Sequence, residues 1–271
     1  MTMNITKESV YHLIEKVRSG NPLVHNITNY VVMNNTANAL LALGASPVMA
    51  HALEEVEDMA TIAGALVVNV GTLDTKWVAS MKKAMKKADQ LEKPIVLDPV
   101  GAGATSFRNQ VINELIQTSH PTVLRGNSSE IIAVYDHSKK TRGVDSSDPS
   151  DTALETAGLL NQNLDSVICI SGAVDYIVDK GRIAEVHNGH ELMAKVTGMG
   201  CTSTAIIGAF TAVHSDYFEA TTAAMALMGV AGQLAAVSAK GPGTLQLHLL
   251  DKLHNITKEE FLDTVKLKIN H

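Results

Sequence analysis

The segment Thr197-Gly-Met-Gly-Cys201 runs into Thr202-Ser-Thr-Ala205 and then an apolar stretch to Phe210. Two glycines, small polar residues and an apolar run read as a tight loop feeding a buried helix. The first N–H groups of a helix have no internal partner, and the helix dipole puts partial positive charge there. Gly198 and Gly200 carry no Cβ, so the backbone can approach an anion closely. The segment is a candidate phosphate or oxyanion cradle with the Cys201 thiol at its mouth. An ordinary glycine-rich turn between two elements fits the same residues.

Asp98 closes the apolar run Pro94-Ile-Val-Leu97, and Glu130 follows Asn127 by three residues, one turn into a helix. Carboxylates at neighbouring strand ends can hold Mg2+ partly through its waters. Arg125, at the adjacent strand end, could meet phosphate oxygens in a fork. Helix capping explains the two acids equally well, and a structural ion pair explains the arginine. Taken together, these parts suggest phosphoryl transfer, with cations for the donor phosphates and backbone N–H groups at residues 198–201 for the moving charge.

Cys201 at a helix terminus is expected to have a lowered thiol pKa and could serve as a weak base or a hydrogen-bond partner for an alcohol. It could instead be a covalent nucleophile, with His187 and His190 the nearest bases in sequence. A binder without catalysis is a further possibility. Cys169 reads as a buried, inert thiol. The chain has 11 histidines but no zinc-binding H-E-x-x-H, no Gly-Lys of a phosphate loop and no G-x-G-x-x-G.

These side chains need a scaffold. Thr6 is expected to cap a helix through Val17 that Gly20 stops, and residues 34–43 form a second helix closed by Gly44. Short strands are expected at 46–49, 65–69, 94–98, 121–125 and 166–170. Asp74 caps the helix after the second of these, and its lysine-rich side, Lys82 to Lys87, reads as a solvated face. Residues 175–179 and 182–186 form a hairpin around Lys180-Gly181, expected at a sheet edge. Residues 138–150 are a polar loop, and the chain is mostly helical from Thr202. Uniformly apolar strands alternating with helices give an α/β fold: a mainly parallel sheet covered by helices on both faces. Ligands then sit beyond the strand C-termini, at Met49, Asn69, Asp98, Arg125, Asn127 and Ser171.

With 271 residues and 45% apolar content, the chain suits one α/β domain spanning 1–271. The net charge of −6 argues against nucleic acid and against an anionic membrane surface. The apolar stretch 204–213 is too short to span a bilayer. No signal-peptide pattern opens the sequence. The two cysteines, Cys169 and Cys201, suit a reducing cytoplasm.

The block from Val24-His-Asn-Ile-Thr-Asn-Tyr30 to Gly44-Ala-Ser-Pro-Val-Met49 resembles the N-terminal signature of hydroxyethylthiazole kinases. Asn69-Val-Gly-Thr-Leu73, Leu97-Asp-Pro-Val-Gly-Ala-Gly103, Arg125-Gly-Asn-Ser-Ser-Glu130 and Thr197-Gly-Met-Gly-Cys201 are similar to its later motifs, in order. The resemblance covers roughly residues 21–243. It implies a ribokinase-like fold without a lid domain, and a homotrimer with active sites between subunits. It implies Mg2+-dependent phosphorylation of 4-methyl-5-(2-hydroxyethyl)thiazole by ATP, a salvage step toward thiamine. A related kinase of another vitamin-precursor alcohol, such as hydroxymethylpyrimidine, is the alternative. The resemblance further implies that Met49, Gly198 and Asn26 contact substrate, Arg125 and Ser171 bind ATP, and Asp98 and Glu130 organise the magnesium. Cys201 stands where most ribokinase-like kinases carry an aspartate base, and Gly198 and Gly200 frame it in the catalytic loop.

Overall fold

In the computed structural model, which describes residues 5–138 and 149–270, the apolar runs become strands of a single sheet. The strands are β1 (Leu23–Ile27), β2 (Ser46–Val48), β3 (Ala65–Asn69), β4 (Ile95–Asp98), β5 (Val123–Asn127), β6 (Val167–Ser171), β7 (Asp175–Asp179), β8 (Arg182–Val186) and β9 (Leu267–Asn270). Their order is β2-β1-β3-β4-β5-β6-β7-β8-β9. β1 to β6 run parallel to one another, whereas β7, β8 and β9 extend the sheet antiparallel.

Helices cover both faces, as a parallel sheet of buried strands requires. On one face lie α1 (Lys7–Gly20), α2 (Met33–Leu43), α8 (Met199–Thr211), α9 (Tyr217–Ser238), α10 (Pro242–Asn255) and α11 (Lys258–Thr264). On the other lie α3 (Val56–Ile62), α4 (Thr75–Gln90), α5 (Ser106–Thr118), α6 (Ser128–Ser138) and α7 (Pro149–Leu164). α9 is long and apolar enough to cross a membrane, but it is buried within the fold as a core helix. The chain thus has the expected α/β architecture.

Several local expectations hold in detail. The Thr6 side chain accepts from Ser9 N, and Asp74 accepts from Lys76 N and Trp77 N, so each caps its helix. Gly44 closes α2 with φ +103°. The basic side of α4 is a solvated face whose Lys82 and Lys83 pair with Glu114 and Glu57.

Three details differ. α1 includes Gly20, and Asn21, at φ +45°, ends it. The 175–186 hairpin is not at the edge, because β9 pairs with β8 outside it. β1 precedes the first expected strand and carries the polar pair His25 and Asn26. Of the polar loop expected over 138–150, residues 139–148 lie outside the described residues.

Strand alternation positions the chemistry. Val24, Val67, Val96, Val123 and Cys169 belong to the core under α8 and α9, and their neighbours Leu66, Leu97, Leu124 and Ile168 to the opposite core. Side chains alternate faces with period two. The next residues on the α8 side, at the strand ends, are therefore Asn69, Asp98, Arg125 and Ser171. Pairing of Asn69 with Asp98, and of Arg125 with Cys169, aligns them across the sheet.

α8 comes close enough to the sheet that a Cβ on Gly208 would stand 2.5 Å from Val67 Cγ2 and 3.1 Å from Val24 Cγ1. Gly208→Val is expected to destabilise the protein by about 1–3 kcal/mol through overpacking. Urea denaturation checks this, and an unchanged midpoint would contradict the close helix–sheet contact.

Candidate active site

Asp98 is only 1% exposed, so its carboxylate needs partners. Oδ2 accepts from Asn69 Nδ2 at 2.7 Å and from Thr204 Oγ1, on the second turn of α8, at 2.8 Å. Oδ1 is buried with no partner among the described residues. Two donors on one oxygen fix the rotation of the carboxylate and present the other. Burial raises the Asp98 pKa to about 6, against the opposing pull of Arg125 and the two hydrogen bonds.

Arg125 is also buried, and its Nη2 donates to Ser171 Oγ at 2.7 Å. Desolvation works against its charge, yet Asp98, Cys169, Asp175 and Glu130 together hold its pKa above the ordinary value. A Cβ on Gly200 would stand 2.6 Å from Arg125 Nη1, so the guanidinium lies against the first turn of α8 only because position 200 is glycine. Gly198 caps that helix in the left-handed region, φ +78°, with Val32 filling the space where a side chain would be.

Glu130 sits in the first turn of α6. Its Oε2 accepts from Asn127 N at 2.9 Å and its Oε1 from Gly101 N at 2.8 Å. Asn127 Oδ1 accepts in return from Glu130 N and Ser129 Oγ. The acid therefore does cap its helix, and in the same act ties the loop after β4 to the end of β5. Its oxygens keep further lone pairs.

Cys201 departs from expectation. Its thiol pKa is pushed up to about 11, chiefly by burial and then by the Asp98 charge, and these outweigh the helix terminus. Asn29 Nδ2 donates to its Sγ at 3.5 Å and to Asn69 Oδ1 at 2.8 Å. A continuous polar chain thus runs from Cys201 through Asn29 and Asn69 to Asp98 and Thr204. A thiol of this kind is neutral at physiological pH, which argues against the covalent-nucleophile reading.

Seven expected site residues therefore gather at one edge of the sheet: Asp98, Glu130, Arg125, Ser171, Gly198, Gly200 and Cys201. The other two stand apart from that group. Met49 follows the edge strand β2, which pairs with β1; the loop after β1 carries Asn29 and Val32 against Cys201 and Gly198, whereas Asp98 lies three strands from β2. His51, whose Nδ1 lies 3.1 Å from Met49 O, packs at a tilt against Trp77. Asn26 is wholly buried in the row below Asn69, and its Nδ2 donates to Val24 O.

Asn29 and Thr204 escaped sequence reasoning. Both lie inside segments singled out above, but their residue types signal no role there, because only the folded register brings them to Cys201 and Asp98.

A cavity of about 560 Å3 opens beside this group. Arg125, Ser171 and Gly200 line it together with Met193, Met225 and Met228, and with the polar Asp175, His187, His190 and Glu191. An arginine, hydroxyls and soft methionine walls in one cavity are groups that a nucleotide's phosphates and base can use. The donor set also fits Mg2+. The buried, unpartnered Asp98 Oδ1 is an acceptor such a cation would satisfy. No cluster of three His, Cys, Asp or Glu that could hold a metal occurs among the described residues.

Comparison with known proteins bears on this geometry. Residues 14–259 match the model of the hydroxyethylthiazole kinase family. The hydroxyethylthiazole kinase of Leptospira biflexa is 52% identical over 270 residues, covering 100% of this chain and 99% of that one. The structure of a hydroxyethylthiazole kinase from Pyrococcus horikoshii OT3 superposes with a TM-score of 0.91 at 44% identity, covering 97% of this chain and 100% of that one. A ribokinase-like superfamily protein from Enterococcus faecalis, at 15% identity and a TM-score of 0.63 over 92% of this chain and 94% of that one, shares the fold.

The raised thiol pKa has a direct readout. At pH 8, Cys201 is about 0.1% thiolate against about a quarter for a free cysteine, so its alkylation is expected to be slower by about 10²-fold or more. The rate should climb as pH rises toward 11. Mass spectrometry of iodoacetamide-treated native protein measures it, and rapid labelling of Cys201 at pH 7 would reinstate a reactive thiolate.

Proposed function

The chain belongs to the hydroxyethylthiazole kinase family, and from that premise we propose that it transfers the terminal phosphoryl group of ATP to the hydroxyl of 4-methyl-5-(2-hydroxyethyl)thiazole. The protein is a kinase, and its place is the salvage of the thiazole half of thiamine. The observation that carries the reading at this site is the buried Asp98 with one free oxygen, set beside Arg125 under the first turn of α8.

In this reading the triphosphate lies along Arg125 and Ser171, with the base among the methionines of the cavity. N–H groups at the start of α8 face the phosphoryl group in transit, where charge spreads over its outer oxygens. Asp98 and Glu130 would hold Mg2+, which neutralises phosphate charge when bound. The neutral Cys201 thiol orients the hydroxyl as a hydrogen-bond partner and is not the base. Because the transition state is loose, the alcohol need not ionise first. Its proton becomes acidic only once the phosphoryl group has moved, so no strong base is needed beside it.

We infer a homotrimer with sites between subunits. Met49 lies on the edge strand's side of the site, and exposed Tyr30, Val31, Leu41 and Leu53 offer apolar surface there for a neighbour. Two cysteines without a disulfide suit the cytoplasm. One kinase domain spans the chain.

An ADP-release assay with the thiazole alcohol tests the proposal, with hydroxymethylpyrimidine and pyridoxal as competing acceptors. Turnover of the thiazole that chelation of Mg2+ abolishes is the expected result. Preferential turnover of hydroxymethylpyrimidine would reassign the acceptor, and absence of ADP with every alcohol would overturn the reading.

A further inference from the structure

Arg108, in the first turn of α5, holds a position that the chemistry above leaves unused. Its backbone N–H donates to the capping hydroxyl of Thr105, and its side chain reaches over the loops at the sheet edge. There the guanidinium donates to backbone carbonyls alone among its described contacts. Nη1 reaches Val70 O and, at 2.7 Å, Val100 O, and Nη2 reaches Gly71 O at 3.3 Å. One planar group thus bridges the loops that follow β3 and β4. A lysine ammonium could not meet this spread of acceptors with the same geometry.

The identity of those carbonyls matters. Val70 O belongs to the peptide whose N–H is Gly71 N, and Gly71 N donates to Asn69 Oδ1 at 2.9 Å. Val100 O belongs to the peptide whose N–H is Gly101 N, and Gly101 N donates to Glu130 Oε1 at 2.8 Å. In a trans peptide the C=O and N–H point in opposite directions. Arg108 therefore grips the outer ends of two peptide planes whose inner ends hold two site side chains. Asn69 in turn donates to Asp98 Oδ2. A charged donor on a carbonyl also polarises the peptide and strengthens its N–H as a donor.

We propose that Arg108 is a positioning residue: through the 70–71 and 100–101 peptides it sets the orientation of Asn69, and thereby Asp98, and of Glu130. It touches neither substrate nor nucleotide in this role. The consequence for catalysis rests on the kinase reading above, whereas the consequence for the two peptides does not.

The test is Arg108→Met and Arg108→Lys, each measured in two ways. Amide NMR on the substrate-free protein should show the Gly71 and Gly101 N–H resonances moving upfield and exchanging faster in both variants. Steady-state kinetics should show kcat falling by about 10- to 100-fold, as misplacement remote from the chemistry does. The KM values for thiazole and ATP should stay within about threefold, the mark of lost transition-state positioning and not lost ground-state binding. The lysine variant keeps the charge but not the fork, so it should show the same pattern if Arg108→Met fails to fold. Combined with Asn69→Ala, Arg108→Lys should lose less than the product of the single losses, because both act on Asp98.

Unmoved glycine amides with a raised KM for ATP would overturn the proposal in favour of direct phosphate contact. Wild-type kcat with only a lowered Tm would overturn it in favour of a purely structural clamp. A wild-type protein that phosphorylates no thiazole would reject the kinase reading, and the amide resonances would still decide whether Arg108 sets the two peptides.

Discussion

The whole arrangement depends on keeping a carboxylate charged where there is almost no water. Asp98 is buried, and an isolated buried carboxylate would simply take up a proton. Arg125 supplies the opposing charge, while Asn69 and Thr204 both bond one oxygen. The pKa that results, about 6, leaves the group ionised at neutral pH while its second oxygen has no partner among the described residues. Arg125 is in the same position, buried among acids with its Nε unpartnered. Such groups persist in a fold when a ligand uses them, and the family to which the chain belongs supplies one in the phosphates of a kinase reaction.

Fold and site are linked by period and register. The parallel strands end at one edge, and the alternation that buries Val67, Val96, Val123 and Cys169 under the helices places Asn69, Asp98, Arg125 and Ser171 above them on the same face. α8 then meets that row with its N-terminus. It can do so because Gly208 lets it lie close on the sheet and Gly200 leaves room for the Arg125 guanidinium. The glycine-rich loop is thus less a flexible cradle than a set of clearances. Each clearance brings one backbone surface against a side chain the chemistry needs.

Much of this was legible in the sequence, and the failures have physical causes. The apolar runs of β3, β4, β5 and β6 and the caps at Thr6 and Asp74 declare themselves locally, and the strand-end rule then locates Asp98, Arg125 and Ser171. β1 was missed because His25 and Asn26 interrupt its apolar run. β9, only four residues long, owes its strand state to pairing with β8. The thiol was misjudged for a related reason. A helix terminus is visible in sequence, but the burial of Cys201 and the nearby Asp98 charge arise only on folding. Asn29, Asn69 and Thr204 are common residue types, and their joint hold on Cys201 and Asp98 exists only in the assembled register.

A crystal structure with the thiazole alcohol, Mg2+ and a non-hydrolysable ATP analogue tests the central claim most directly. The terminal phosphate is expected between the first turn of α8 and Asp98, with the alcohol oxygen next to Cys201 and the triphosphate running along Arg125. A nucleotide seated away from Arg125 and Ser171, or an alcohol oxygen remote from Cys201, would contradict it.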